Sequence, residues 1–181
     1  VVVMPDANKE QTLNALVGAA FGAAGQRCMA LSVAVMVGES KQWVDELVEK
    51  TKTLKVNAGH EPNTDVGPVI SQKAKARVLD LINSGVEQGA ELLLDGRDVQ
   101  VKDYEQGNFV GPTVFNGVKT DMRIYKEEVF GPVLAIMHVD TLEEAIELIN
   151  ANPFGNGVGL FTQSGMTART FQHDIDIGQV G

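Results

Sequence analysis

Two periodicities alternate along this chain. Val1–Val3 opens as a strand. Asp6 is placed to cap a helix in which Leu13, Leu16, Val17, Ala20 and Phe21 fall three and four apart, making one apolar face. Gly22 and Gly25 weaken that helix, and the β-branched run Leu31–Val37 reads as a buried strand. Lys41–Leu54 is helical again, with Trp43, Leu47 and Val48 on one side. A Gly-, Pro- and Asn-rich loop over Asn57–Pro68 precedes a helix over Ser71–Gln88, whose Val78, Leu79, Ile82 and Val86 share a stripe.

The second half repeats the alternation. Strands are predicted at Glu91–Leu94, Pro112–Phe115, Val133–Val139 and Val158–Thr162, with Asp95-Gly96 turning the first and a polar surface loop over Gln100–Phe109. Thr141-Leu142-Glu143-Glu144 has the spacing of a capping box ahead of Ala145, Ile146, Leu148 and Ile149, and Pro153 and Gly155 end that helix. A last helix is expected over Met166–Phe171. Strands alternating with helices predict an α/β fold, a mostly parallel sheet with helices on both faces.

Composition narrows the function. The 181 residues are enough for one domain with a sizeable core, and 44% are apolar. A net charge of −9 opposes the approach of a phosphate backbone, so nucleic acid is not an expected partner. No apolar run has the length of a membrane span. A single cysteine cannot form an internal disulfide, which suits a reducing compartment. The runs Val1–Met4 and Ile177–Gly181 read as strands entered and left midway, so the chain is expected to be a piece of a longer protein, cut at both ends.

The chemistry-bearing stretch is FGAAGQRCMALS, Phe21–Ser32, which holds that cysteine, Cys28. Two readings compete. A lone cysteine near a helix end is commonly a small buried hydrophobe. A nucleophilic thiol must instead work as the thiolate. A guanidinium about 4 Å away, at an effective dielectric of about 20, favours the thiolate by about 4 kcal/mol before desolvation. A helix terminus offers about 0.3–1 kcal/mol. Arg27 could supply the larger effect if its side chain turned back toward the sulfur. Gly25 permits a tight turn, and backbone N–H groups around such a turn can hold an oxyanion on an attacked carbonyl. His60, His138 and His173 are the candidate bases, but none carries a local signature. No Cys, His and carboxylate spacing matches a metal site, so no metal is expected.

Three stretches resemble the aldehyde dehydrogenase superfamily. FGAAGQRCMALS is similar to the nucleophile segment of its CoA-acylating semialdehyde branch. KEEVFGPVL, Lys126–Leu134, is similar to the superfamily's E-x-F-G-P-V element, and VVMPDANKEQTLN to the segment ahead of the nucleophile helix. LKVNAG, NFVGPTVF and NPFGNGVGLFT add minor agreement.

The resemblance implies a set of roles. Cys28 would attack an aldehyde, and Arg27 would bind a substrate carboxylate. Glu128 would hold the nicotinamide-side ribose hydroxyls of NAD, and Phe130 would pack near the nicotinamide. Coenzyme A would accept the acyl group, with loss of carbon dioxide from (methyl)malonate semialdehyde, as in valine catabolism. Residues 1–181 would be the nucleophile-bearing catalytic domain, with the NAD-binding domain outside it and little turnover by these residues alone. The branch implies a homo-oligomer, a tetramer, located in the mitochondrial matrix in eukaryotes and the cytoplasm in bacteria, without membrane or nucleic-acid partners. The alternatives are a hydrolytic NAD(P)-dependent aldehyde dehydrogenase and a truncated interaction module. Without the Phe-Gly-Pro that follows, Glu127-Glu128 would read as a solvated pair.

Overall fold

The structure, a computed structural model, describes residues 1–181. Strand β1 is Val2–Val3, and helix α1 is Lys9–Phe21. The cap of α1 is Asn8, not Asp6. Asn8 Oδ1 accepts the Gln11 N–H at 3.0 Å, and the Asn8 carbonyl accepts the Thr12 N–H at 2.9 Å. Asp6 lies in the preceding turn, where its carboxylate accepts from the Thr162 hydroxyl at 2.9 Å and the Gln163 N–H at 3.0 Å.

Strand β2 is Val33–Val37, two residues shorter than the apolar run predicts. The Leu31 N–H donates to the Ala19 carbonyl at 3.0 Å, so the start of that run packs on α1 instead of joining the sheet. A 3-10 segment, Gly38–Trp43, leads into helix α2, Val44–Lys52. Helix α3, Gln72–Glu87, is capped by Ser71, whose hydroxyl accepts the Ala74 N–H at 3.1 Å. Then come β3, Glu91–Leu94; β4, Thr113–Asn116; the one-turn helix α4, Arg123–Lys126; and β5, Val133–Val139. Helix α5, Leu142–Asn150, has both bonds of the expected capping box between Thr141 and Glu144. Strand β6, Leu160–Phe161, and helix α6, Gly165–Asp174, complete the chain's elements. The short α4 has no amphipathic signature, and periodicity alone did not indicate it.

The six strands form one sheet in the order β3-β4-β5-β2-β1-β6. All neighbours are parallel except β3 and β4. Alternate residues of the central strands point to opposite faces. Val3, Ala34 and Met36 join a large core with Leu13, Leu16 and Phe21 of α1, Leu47 of α2, and Leu81 and Ile82 of α3. Val2, Val35 and Val37 join a smaller core with Ala145 and Ile146 of α5 and Phe171 of α6. The sheet is therefore mostly parallel with helices on both faces, as the alternation predicts. No helix is long and apolar enough to cross a membrane.

One consequence of the strand order positions the site. Cys28 lies on the approach to β2, Glu128–Phe130 on the approach to β5, and Asn152–Gly157 on the approach to β6. β5 and β2 are neighbours, β6 is separated from β2 by β1 alone, and all run the same way. Segments far apart in sequence therefore meet at the amino ends of the strands. Ligands of open α/β sheets more commonly sit at the carboxyl ends.

Candidate active site

The turn that presents Cys28 is wound against its preference. Ala23, Ala24 and Gly25 are consecutive residues in the left-handed region, with φ of 53°, 54° and 68°. A left-handed conformation costs about 1–2 kcal/mol for each residue bearing a Cβ. Such strain persists only where the surroundings enforce it. The enforcing contact is visible at Gly25: a Cβ there would lie 2.0 Å from the Gly131 carbonyl oxygen. Gly131 in turn packs so close to Val78 of α3 that its own Cβ would lie 2.6 Å from a methyl group. The two sequence motifs, 21–32 and 126–134, thus touch backbone to backbone, with Gly25 against Gly131.

Cys28 emerges from this turn exposed to solvent. It is not a buried hydrophobe. It lines a cleft of about 780 Å³ together with Met29, Tyr125, Glu128, Phe154 and Asn156, a size suited to a small ligand. The N–H groups of Cys28 and Met29 donate to no acceptor in the chain. On the far wall, Asn156 Nδ2 donates to the Cys28 carbonyl at 2.9 Å.

Arg27 does not turn toward the sulfur. Its Nη2 donates to the carbonyls of Gly18 at 3.2 Å and Ala19 at 3.0 Å, in the last turn of α1, and it does not line the cleft. These carbonyls lie at the negative end of the helix dipole, and each accepts the guanidinium beside the backbone bond it already makes, Gly18 to the Gly22 N–H and Ala19 to the Leu31 N–H. The thiolate-favouring guanidinium that adjacency allowed is therefore bound to the helix instead.

The carboxylate pair 127–128 divides its work. Glu127 accepts from Arg123 Nε at 2.9 Å and Arg77 Nη1 at 3.4 Å, and Arg123 also reaches Asp80 at 3.1 Å. The Arg123 guanidinium, with Arg77 beside it, holds the Glu127 carboxyl below the usual range. Arg77 Nη2 also donates to the Glu128 carbonyl at 2.7 Å. Both residues line the cleft with Cys28, but Glu127 is tied to two arginines and is thus a structural anchor, whereas the Glu128 side chain has no partner in the chain. Phe130 follows with φ of 52° and 41% of its surface exposed, an unfavourable stance for a bulky residue. It is not among the residues that line the cleft.

No histidine lines the cleft. His60 is hydrogen-bonded to the Tyr104 hydroxyl at 2.8 Å, His138 to Asn116 at 2.6 Å, and His173 to Asp174 at 2.6 Å. Sequence reasoning missed Arg77, Arg123 and Asn156. Asn156 lies within the NPFGNGVGLFT stretch but carries no role there, Arg77 and Arg123 belong to no motif, and only the fold brings the three to the site.

An exposed thiol, unengaged N–H groups beside it and a free carboxylate across the same cleft, on a mostly parallel α/β sheet, define a domain that can attack a carbonyl group with sulfur. Comparison with known proteins places it further. The chain belongs to the aldehyde dehydrogenase family, whose model matches residues 1–181. It is 62% identical over 180 residues to the acylating, mitochondrial methylmalonate-semialdehyde/malonate-semialdehyde dehydrogenase of Bos taurus, covering 99% of this chain and 34% of that protein. Among solved structures, the NAD complex of a Sinorhizobium meliloti protein assigned as methylmalonate-semialdehyde dehydrogenase superposes with a TM-score of 0.97 at 46% identity, covering 99% of this chain and 37% of that one. A Staphylococcus aureus betaine aldehyde dehydrogenase in complex with NAD+ superposes with a TM-score of 0.95 at 28% identity, covering 99% and 36%. The chain thus spans about a third of the length of these relatives.

Proposed function

We propose that these residues are the nucleophile-bearing catalytic portion of an NAD-dependent, CoA-acylating (methyl)malonate-semialdehyde dehydrogenase. The observation that supports this most directly is the shared cleft: Cys28 and Glu128, 100 positions apart, line it together because Gly25 and Gly131 pack backbone to backbone. The cleft residues also fit a nicotinamide ribose. Glu128 has an unpaired carboxylate able to accept two hydroxyl hydrogen bonds, and Phe130, two residues on, has an exposed ring.

In this reading the Cys28 thiolate attacks the aldehyde carbon. A carbon–sulfur bond forms, and the carbonyl π pair moves to oxygen. The free N–H groups of Cys28 and Met29 are available to that oxyanion. NAD, when bound, accepts the hydride, which leaves an acyl thioester on Cys28. The thioester carbonyl lets the neighbouring carboxylate leave as carbon dioxide: the carbon–carbon pair passes into a thioester enolate, whose α carbon takes a proton from solvent. The thiolate of coenzyme A attacks the thioester carbonyl and the Cys28 thiolate leaves. Met29 and Phe154 supply exposed apolar surface to the cleft lining. Arg27 stands outside the cleft with Nη2 on α1, and in this reading its side chain leaves those carbonyls and turns into the cleft to bind the substrate carboxylate. The homo-oligomer rests on the family resemblance, and a mitochondrial compartment on the names of the eukaryotic relatives.

Product analysis on the full-length protein tests this reading. Propionyl-CoA from methylmalonate semialdehyde, dependent on coenzyme A, is the expected result. Free acid formed at the same rate without coenzyme A would instead identify a hydrolytic enzyme.

Two substitutions separate the binding roles. Glu128→Gln removes a charged acceptor, so KM for NAD should rise about 10-fold or more, with Tm nearly unchanged because the side chain is exposed. An unchanged KM would remove Glu128 from the cofactor site. Arg27→Ala should raise KM for the carboxylate-bearing aldehyde about 10- to 100-fold and that for propanal little. It should also lower Tm slightly through the two lost bonds to α1. Equal effects on both substrates would leave Arg27 with the helix-capping role alone.

A further inference from the structure

The nucleophile turn is held from two sides. On its own side, the Ala30 N–H donates to the Arg27 carbonyl at 3.0 Å, and the Leu31 N–H to Ala19 at 3.0 Å. From across the cleft, one polar group reaches it: Asn156 Nδ2, 2.9 Å from the Cys28 carbonyl oxygen and 128 residues away in sequence. The next residue, Gly157, lets the walls close, since a Cβ there would lie 2.5 Å from Met29 Cε. The Asn156 segment has its own support. The Gly178 N–H donates to the Gly155 carbonyl at 2.9 Å, and the Val158 N–H to Gln179 at 2.9 Å. The amide therefore reaches Cys28 from an anchored wall.

We infer that Asn156 is a positioning residue for the nucleophile, a role that rests on Cys28 acting as proposed above. Fixing the Cys28 carbonyl fixes the plane of the 28–29 peptide. That plane sets the direction of the Met29 N–H and, through the shared Cα, the bearing of the thiol. Asn156 touches no reacting atom in this arrangement. It acts through the backbone of Cys28, so its loss should slow the chemical step without disturbing the cofactor site built around Glu128.

The test uses the full-length protein with Asn156→Ala, Asn156→Asp and Asn156→Gln. The aspartate keeps the shape but turns the donor into an acceptor; the glutamine keeps the donor. Misplacement of a reacting group can slow catalysis by up to about 100-fold, so kcat should fall about 10- to 100-fold in the alanine and aspartate variants. KM for NAD should stay within about twofold, and the glutamine variant should recover most of the rate. Amide hydrogen exchange at Ala30 and Leu31 should rise about tenfold, with β5 unchanged. A kcat for Asn156→Asp within about twofold of wild type overturns the inference. So does a parallel loss of kcat, NAD affinity and Tm, which would mark a residue needed only for folding. If the wild-type protein forms no NADH from any aldehyde, the dehydrogenase reading fails by itself. Exchange then judges the tether, and unchanged protection at Ala30 and Leu31 rejects it.

Discussion

Cys28→Ala in the full-length protein should lower the rate of NADH formation about 10⁴-fold or more while leaving Tm within about 2 °C of wild type. The two halves of this expectation have separate causes. The activity is lost because the carbon–sulfur bond is the first covalent step, and the cleft offers no replacement nucleophile. Ser32 also lines it, but a hydroxyl needs a base, and no histidine is there. Cys28→Ser should therefore be as inactive as the alanine variant. Stability is spared because the thiol is exposed and fills no core volume. Retention of the rate to within about tenfold in either variant would remove Cys28 from the mechanism.

Gly25→Ala should be the most disruptive single methyl group in the site. The backbone is left-handed there, and the new Cβ would sit 2.0 Å from the Gly131 carbonyl oxygen and 2.5 Å from its carbon. Conformational strain contributes about 1–2 kcal/mol and forced repacking about 1–3, so a loss of about 2–5 kcal/mol is expected. Gly131 cannot yield easily, because Val78 stands behind it. Whatever protein folds should have its nucleophile segment displaced from the Glu128 segment, with kcat lowered and KM for NAD raised together. Gly89→Ala is the matched control. Its φ is +88° but nothing lies within 4 Å, so only the strain remains, about 1–2 kcal/mol, and kinetics should be unaffected. Denaturant melts and steady-state kinetics on the two variants distinguish the contact from the conformation. Equal losses at both sites would show that the Gly25–Gly131 approach contributes nothing.

Local patterns were legible where one physical cause dominates a short window. The α5 capping box needs only Thr141 and Glu144 at the right spacing, and both bonds form. The run of β5 was readable for the same reason, since burial of a whole run leaves it apolar throughout. The α3 stripe was only half legible: Val78 and Ile82 are buried as expected, but Leu81 rather than Leu79 completes the buried face and Val86 is 42% exposed. The reading slipped where two local solutions were nearly equal. Asn8 and Asp6 can both cap a helix, and the contact of Asp6 with Thr162, 156 residues away, settled which one does. Leu31 has the hydrophobicity of a strand residue, but its N–H is taken by Ala19 before the sheet begins.

By itself, the sequence determined the alternation of strands and helices, the two-faced sheet and the motif that singles out Cys28, because side-chain period and residue type act over a few positions. Tertiary structure alone decided which groups face the sulfur. It turned Arg27 onto α1, divided Glu127 from Glu128, and brought Asn156 to the Cys28 carbonyl. The reason is that these partners lie 50 to 128 residues apart or compete for the same side chain. Such choices depend on which loops the parallel strand order gathers at one end of the sheet, and no window of sequence contains that information.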